Sequence, residues 1–293
     1  MNIRKITIAG AGTMGYSMAE IFARKGFDVI LWNHREPTLQ KARTKIASEV
    51  VGKIKFSTEM DSFKGRDLIV ESIAENLEIK LSFYKEMSPL ADKNTIIATN
   101  TSGLSINTLA SAVAFPERFL GMHWFNPPTL IPLIEIIKNG KTLPEVAKTI
   151  YDLSLAIGKK PAVVEKDVPG FAANRIQLAV VREVCSMVKK GVVSVEAADA
   201  VMKYGLGFRW ACLGPLETLD FGGIDVFYHI SEYLMKDLED SHEVPELLKE
   251  KFEAGELGVK SGKGFYDYSG GKDVKATKER DAKLKALNDA LYK

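Results

Sequence analysis

Residues 4–15 read Arg-Lys-Ile-Thr-Ile-Ala-Gly-Ala-Gly-Thr-Met-Gly. The alternation from Arg4 to Ala9 predicts a β-strand that runs directly into the glycine-rich turn. After the turn, Met14, Met18 and Phe22 recur at helical spacing, which predicts a helix that ends near Gly26. Strand, glycine turn and helix in this order predict an α/β domain of the Rossmann-like, doubly wound class.

The glycine turn matches the G-x-G-x-x-G pattern in the context that the pattern requires. Gly10 permits the tight turn, Gly12 allows a pyrophosphate to approach the backbone, and Gly15 lets the helix pack on the strand. Thr13 and Met14 begin the helix, whose positive end favours the phosphates. These five residues are therefore predicted to bind a dinucleotide; the alternative is a flexible turn before an ordinary helix.

The end of the second predicted strand, Asp28 to Trp32, should determine which dinucleotide binds. An acidic residue there would hold the ribose 2′-hydroxyl of NAD, but this chain continues with Asn33, His34 and Arg35. An amide followed by a guanidinium can bind the 2′-phosphate of NADP. The sequence therefore predicts an NAD(P) site that favours NADP. In the alternative, Arg35 is a solvated loop charge and Asn33 alone holds the ribose.

Two further buried strands are predicted at 68–73 and 95–99, and each is followed by polar residues. Glu75 and Lys80 follow the first, at the edge of a parallel sheet where ligands bind, so they are candidates for the cofactor side or for exposed helix charges. Residues 100–105 follow the second with an amide and hydroxyls. These groups suit a small polar substrate, but taken alone they are better explained as caps of the helix near Ile106.

A proline-rich turn separates two apolar runs, 120–125 and 132–137. His123 and Glu135 are equally far from Thr129 in the middle of this turn, so an antiparallel hairpin would place them opposite one another. A carboxylate on one ring nitrogen leaves the other nitrogen free to move a proton. The pair is a candidate general base, and the alternative is a partly buried histidine that makes one hydrogen bond.

Length and pattern predict two domains, residues 1–167 and 168–293, with the boundary at a break before Pro169 and Gly170. Beyond this break the sequence is helical. A helix predicted from 216 to 238 is apolar on several faces, which indicates packing against a second subunit. Cys185 and Cys212 lack metal-ligand spacing and are interpreted as reduced packing residues, so no metal is expected.

The overall composition argues against several classes of protein. The net charge is +2 and no basic block suggests a nucleic-acid partner. No apolar run is long enough to span a membrane, and the first strand is preceded by no secretory signal, so a cytoplasmic protein with a small-molecule substrate is expected.

Together these motifs resemble the L-3-hydroxyacyl-CoA dehydrogenase family, and the match runs nearly from end to end. The resemblance rests on the glycine turn and on six further motifs, which are Glu75-Asn76-Leu77 with Lys80, Asn100-Thr101-Ser102, His123-x-Phe125-Asn126-Pro127, Glu135, Pro169-Gly170-Phe171 with Asn174-Arg175, and Lys260-Ser261-Gly262-x-Gly264-Phe265-Tyr266.

This resemblance implies a Rossmann-like domain followed by an all-α C-terminal dimerisation domain, and a hydride transfer between a nicotinamide and the 3-hydroxy or 3-keto group of a short 3-hydroxyacyl-CoA. It implies His123 as catalytic base and Glu135 as its partner. Ser102 and Asn174 would bind the substrate oxygen. The residues that it places near the cofactor are Glu75, Lys80, Asn126 and Lys260.

Two features in which this sequence departs from the fatty-acid-oxidising members of the family bear on the substrate. The segment between Asn33 and Leu68 is shorter than in the fatty-acid-oxidising members, where a helical hairpin helps to hold CoA. Residues 205–218 are similar to relatives that oxidise free hydroxy acids, such as L-gulonate 3-dehydrogenase and carnitine dehydrogenase. Arg209 could then pair with a substrate carboxylate, or it could form a structural salt bridge.

Two other interpretations remain open. The 6-phosphogluconate and 3-hydroxyisobutyrate dehydrogenase group shares the glycine turn but uses a lysine four residues before an asparagine; here Gly170 precedes Asn174 at that distance. A nucleotide-binding or structural protein without turnover would be expected to lack an intact set of His123, Glu135, Ser102 and Asn174.

Overall fold

A computed structural model describes residues 2–292, and the contacts divide the chain into two compact units at Arg175 and Ile176. The boundary predicted at 167/168 stays a prediction. Between residues 2 and 292, no helix is both long and apolar enough to cross a membrane.

The first unit contains a single eight-stranded sheet in the order β3-β2-β1-β4-β5-β6-β7-β8. Its strands are β1 (Lys5–Ala9), β2 (Asp28–Trp32), β3 (Ile54–Ser57), β4 (Leu68–Glu71), β5 (Ile96–Thr99), β6 (Phe119–Trp124), β7 (Leu133–Lys138) and β8 (Lys160–Val164). All neighbouring strands are parallel except β6 and β7. This topology confirms the predicted Rossmann-like, doubly wound sheet.

Helices cover both faces of the sheet because its central strands are apolar on both sides. They are α1 (Thr13–Arg24), α2 (Glu36–Arg43), α3 (Ser48–Val51), α4 (Leu77–Met87), α5 (Ile106–Ala110) and α6 (Pro144–Ala156). One core includes Ile6, Ile8 and Phe22, and the core on the opposite face includes Ile69 and Tyr84. The order of the strands reverses between β1 and β4, so the crevice beyond their carboxyl ends is where a ligand is expected.

Beyond the sheet the chain is helical, as predicted. The helices are α7 (Ala173–Lys189), α8 (Val195–Val201), α9 (Gly207–Trp210), α10 (Pro215–Gly222), α11 (Ile224–Leu234), α12 (Glu246–Glu253) and α13 (Lys272–Tyr292), and a π-helical turn, Met202–Leu206, joins α8 to α9.

Two predictions about local structure were wrong. The single helix predicted at 216–238 is broken between α10 and α11, where Gly223 has a φ of 91° that a helix cannot contain. Cys185 is buried as expected, but Cys212 is exposed and does not pack in a core.

Candidate active site at the carboxyl edge of the sheet

The glycine turn between β1 and α1 leaves room for a ligand at one glycine only. A Cβ on Gly10, whose φ is 112°, would lie 2.3 Å from Ser72 O, and a Cβ on Gly15 would lie 1.8 Å from Gly10 O. At Gly12, by contrast, a Cβ would meet nothing within 4 Å, and this residue caps α1 without a side-chain hydrogen bond. The open space and the uncapped N–H groups of Thr13 and Met14 fit a pyrophosphate.

At the end of β2, Asn33 is buried and its side chain forms a local turn. Its Oδ1 accepts a hydrogen bond from the backbone N–H of Arg35 at 3.0 Å. His34 and Arg35 are exposed, and within residues 2–292 the guanidinium of Arg35 forms no ion pair with a carboxylate. The three residues therefore present an amide and a free cation at this end of the strand.

The loop after β5 carries Ser102, whose backbone is held on both sides. Its N–H donates to Glu75 Oε1 at 2.8 Å, and its carbonyl accepts from Asn174 Nδ2 at 2.8 Å. The preceding Asn100 accepts a hydrogen bond from the backbone N–H of Trp124 at 2.8 Å. Two predicted substrate ligands, Ser102 and Asn174, are thus neighbours, and their loop is tied to the strand that carries His123. The cap of α5 is Ser105, not Ser102.

His123 and Glu135 face one another across β6 and β7, as the predicted hairpin requires. They are paired in register, and His123 Nδ1 lies 2.9 Å from Glu135 Oε2. The rings of Phe125 and Phe171 pack on the imidazole, which is only 3% exposed. Among the described residues no hydrogen bond occupies Nε2, yet this atom retains contact with solvent. The imidazole is therefore held at one nitrogen and available at the other.

Glu135 is held in its charged form by donors from two directions. Burial raises the pKa of this carboxyl, but the hydrogen bond from His123 and those from the N–H groups of Ala173 and Ala172 outweigh it and lower the pKa from the usual value. The two amides lie 2.9 and 3.1 Å from Oε1, at the start of α7. A carboxylate fixed in this way can orient the ring and stabilise an imidazolium.

Sequence reasoning missed two buried ionic groups in this unit. Glu71, at the end of β4, is fully buried and lies 2.5 Å from the Nζ of Lys80, which is itself only 1% exposed. Lys80 is therefore not a charge on an exposed helix surface. Lys159 is buried and donates to the carbonyls of Pro128 and Ile131 in the turn after His123. An acidic residue inside the apolar run Leu68–Glu71 was a usable signal, whereas Lys159 resembles a surface lysine.

The remaining predicted residues are exposed. Asn126, two residues after the end of β6, is exposed and precedes Pro127 through a cis peptide bond. Arg209 and Lys260 belong to the second unit. Arg209 lies on α9 and forms no ion pair among the described residues, so a structural salt bridge does not account for it. Lys260 contributes to a cavity of about 500 Å³ within that unit, beside Phe265.

Two family models match the chain in succession. The NAD binding domain of 3-hydroxyacyl-CoA dehydrogenase matches residues 5–168, and the C-terminal domain of 3-hydroxyacyl-CoA dehydrogenase matches residues 170–268. This chain belongs to the 3-hydroxyacyl-CoA dehydrogenase family. The family membership makes it an NAD(P)-dependent oxidoreductase, with the first domain as the NAD-binding domain.

Relatives within this family differ in their named substrates. The chain is 37% identical to 5-formyl-3-hydroxy-2-methylpyridine 4-carboxylate 5-dehydrogenase from Mesorhizobium japonicum, over 99% of this chain and 98% of that protein. The crystal structure of a dehydrogenase of this name, described as an NAD⁺ dependent dismutase, gives a TM-score of 0.93 at 37% identity and covers 99% of both chains. The 3-hydroxyacyl-CoA dehydrogenase of Archaeoglobus fulgidus gives 0.75 at 36% identity, covering 98% of this chain and 99% of that one.

Proposed function

We propose that His123 is the general base and acid of a hydride transfer at an alcohol carbon. The observation that carries this proposal is the buried His123–Glu135 pair with its 2.9 Å separation and its unoccupied Nε2. In oxidation Nε2 removes the hydroxyl proton, and in reduction the imidazolium returns it. A bound nicotinamide supplies the hydride acceptor or donor. Glu135 stabilises the imidazolium and keeps the ring oriented.

Ser102 and Asn174 are proposed to bind the reacting oxygen. Their mutual hydrogen bond, at 2.8 Å between Asn174 Nδ2 and Ser102 O, supports a shared site. The Ser102 hydroxyl and the second N–H of the Asn174 amide can then donate to an oxygen on which negative charge develops. The predicted roles of Glu75, Lys80, Asn126 and Lys260 near the cofactor belong to the same proposal.

Within the NAD-binding domain we propose a preference for NADP over NAD. The support is local: Asn33 offers no carboxylate to repel a 2′-phosphate, and Arg35 has no carboxylate partner among the described residues. Arg35 also precedes the first turn of α2, whose positive end favours an anion. Replacement of Arg35 by alanine should therefore raise the KM for NADPH much more than the KM for NADH.

For the substrate, we propose a small hydroxy acid that carries its own carboxylate and no CoA. Residues 33–67 contain only the short helices α2 and α3, the strand β3 and one 3-10 turn, so they offer no helical hairpin to hold CoA. The 0.93 TM-score to a pyridine carboxylate dehydrogenase supports the same choice. Arg209 is the candidate partner of the substrate carboxylate.

A short-chain 3-hydroxyacyl-CoA, such as a 3-hydroxybutyryl-CoA-like thioester, is the second candidate. It is favoured by the two family models, which together match residues 5–268 with one gap. We also propose a homodimer formed through the second domain, because α10 and α11 expose a set of large apolar side chains, Leu216, Phe221, Ile224, Tyr228 and Tyr233. The expected cytoplasmic location stays a prediction.

One substrate panel tests these proposals together. The purified protein is assayed with NADH and with NADPH against acetoacetate, dehydrocarnitine, 3-keto sugar acids, 5-formyl-3-hydroxy-2-methylpyridine 4-carboxylate and acetoacetyl-CoA. We expect turnover of a free acid, faster with NADPH at equal concentration. Preference for acetoacetyl-CoA would overturn the free-acid proposal, and preference for NADH would overturn the cofactor proposal. Tight cofactor binding with no turnover of any compound would favour a protein without catalysis.

A further inference from the structure

A buried carboxylate lies below the loop that carries Ser102. Glu71 ends β4, and four donors surround its two oxygens. The Nζ of Lys80 and the N–H of Ile73 bind Oε1 at 2.5 and 2.7 Å, and the hydroxyls of Tyr84 and Thr99 bind Oε2 at 2.7 and 2.8 Å. Each oxygen of Glu71 thus accepts two hydrogen bonds, and two of the donors, Lys80 and Thr99, also contact the loop or its neighbour Glu75.

A first set of hydrogen bonds runs from Glu71 through Thr99 to the loop. The Thr99 hydroxyl donates to Glu71 and accepts from the backbone N–H of Thr101 at 3.2 Å. Because this hydroxyl has a single proton and is completely buried, its donor direction is set by the carboxylate, and its lone pair faces the amide. The backbone N–H of Thr101 is therefore connected to the Glu71 carboxylate through one hydroxyl.

A second set reaches the same loop through Lys80. The Lys80 ammonium lies 2.5 Å from Glu71 and 3.4 Å from Glu75. Glu75 in turn accepts from the Thr101 hydroxyl at 2.5 Å and from the Ser102 N–H at 2.8 Å. Burial alone would raise the pKa of Glu75, but the Thr101 hydroxyl, the Lys80 charge and the Ser102 N–H lower it, so the carboxylate stays ionised and keeps both donors.

We propose that Glu71 is a positioning residue that fixes Thr101 and thereby holds Ser102 in place for the substrate oxygen. Both sets of bonds begin at this one carboxylate and end at adjacent residues of a loop that has no regular secondary structure. A buried ion pair contributes little stability compared with apolar side chains of similar volume. A role in fixing the loop therefore explains the Glu71–Lys80 pair better than a contribution to stability does. The proposal rests on the role proposed above for Ser102.

The test uses Thr99→Val, which removes the hydroxyl between Glu71 and Thr101 and keeps the side-chain shape. Thr7→Val is the matched control, since Thr7 is also a fully buried strand threonine whose hydroxyl donates a 2.7 Å hydrogen bond, in this case to Ser62 O. Thr99→Ser restores the hydroxyl. Each variant is compared for kcat, for the KM of the cofactor and for hydrogen exchange of the amides in residues 100–105.

We expect Thr99→Val to lower kcat about tenfold or more, because a small misplacement of a substrate ligand is enough for that loss. The KM of the cofactor and the pH midpoint of kcat/KM should not change. Amides of residues 100–105 should exchange roughly tenfold faster, as after the loss of one hydrogen bond. Thr7→Val should change none of these three quantities, and Thr99→Ser should recover the wild-type kcat and exchange rates.

The exchange measurement separates this proposal from the proposed function, because it needs no turnover. If the wild-type protein reduced no substrate but Thr99→Val still loosened residues 100–105, the positioning of the loop would stand and the proposed function would fail. Unchanged exchange in Thr99→Val, or a kcat equal to that of Thr7→Val in an active enzyme, would overturn the role of Glu71.

Discussion

Among its described residues the first domain buries two carboxylates, and they differ in the partner that balances their charge. Glu71 is 0% and Glu135 1% exposed, and each accepts at least three hydrogen bonds. The cation beside Glu71 is the ammonium of Lys80, at 2.5 Å. The partner of Glu135 is the imidazole of His123, at 2.9 Å.

We interpret this difference as one of role: the Glu71–Lys80 pair holds a loop, whereas the Glu135–His123 pair is proposed to move protons. The Lys80 ammonium lies 2.5 Å from Glu71 and 3.4 Å from Glu75, so it links two carboxylates and can help to hold a loop. A histidine gains its charge only with a proton, so in the proposed function Glu135 stabilises a state that exists during part of a catalytic cycle. Two buried carboxylates of the same residue type can thus support different functions, and each prediction below tests that division.

Loss of the imidazole should have the largest effect. We expect His123→Gln to lower kcat by about 10³- to 10⁴-fold, the upper part of the range for a general acid or base, while the Kd of the cofactor stays the same. The matched control is His229→Gln, because His229 lies 2.9 Å from Glu232 in the same Nδ1-to-carboxylate arrangement but is exposed. Equal losses in the two variants would remove His123 from the chemistry.

Loss of the Lys80 ammonium should affect stability first. Lys80→Met leaves Glu71 buried without a counter-charge, and we expect the free energy of unfolding to fall by about 3–5 kcal/mol. Urea unfolding measures this, with Lys148→Met as control, because Lys148 pairs with Asp152 on the surface of α6. Adding Glu71→Gln to Lys80→Met should recover part of the loss. A loss no larger than that of the control would contradict the distinction drawn between the two carboxylates.

Neutralising the other carboxylate should affect turnover more than stability at neutral pH. In Glu135→Gln, the amide can turn its NH₂ towards Nδ1 and thereby favour the tautomer that carries a proton on Nε2, which cannot act as a base. We expect kcat to fall about 10²-fold.

The pH dependence of unfolding provides a second measurement on Glu135→Gln. The folded pKa of Glu135 lies below its ordinary value of 4.5, so its ionised form stabilises the fold above that pH. The stability advantage of the wild-type protein over Glu135→Gln should therefore shrink as the pH falls through the folded pKa. An advantage that grew on acidification would mean that the carboxylate is not held in its charged form.

The sequence predicted those features that depend on local pattern. The strand, glycine turn and first helix follow from alternation, helical spacing and glycine positions, and the pairing of His123 with Glu135 follows from counting residues about Thr129. The antiparallel register confirms that count. A hairpin with a known turn fixes which residues face one another, so no information from distant parts of the chain was needed.

The sequence did not predict which charged side chains are buried. Lys80 lies on the buried face of α4 with Phe83 and Tyr84, and Glu71, which comes from β4, supplies the counter-charge for its ammonium there. Similarly, the break at Gly223 depends on a positive φ that periodicity cannot reveal in an apolar run. The Gly222-Gly223 pair was a usable local signal for that break, whereas the pairing of Lys80 with Glu71 arises when distant segments pack together and leaves no local pattern.

Lys159 extends the comparison to a buried cation that pairs with no carboxylate between residues 2 and 292. Its ammonium donates to the carbonyls of Pro128 and Ile131 and lies 5.2 Å from the centre of the Trp124 ring. Burial without a counter-charge lowers the pKa of this lysine from 10.5 to about 8. The folded protein thus binds this proton more weakly than the unfolded chain does, which is the reverse of a lysine that gains an acidic partner.

The pH dependence of stability should therefore run in the direction opposite to that of a paired lysine. Between pH 8 and 10.5 the unfolded chain holds more protons at this position, so the free energy of unfolding rises with pH. Relative to Lys159→Met, the wild-type protein should gain about 2 kcal/mol between about pH 7 and 10, measured by urea unfolding at each pH. Taking the difference from Lys159→Met cancels the contribution of other groups that titrate in this range. The difference between the wild-type protein and Lys148→Met should not change with pH.

A difference from Lys159→Met that does not change with pH would mean that an acidic group or water compensates the Lys159 charge in solution. In that case both buried lysines would have compensated charges, and the contrast with Lys80 would be lost.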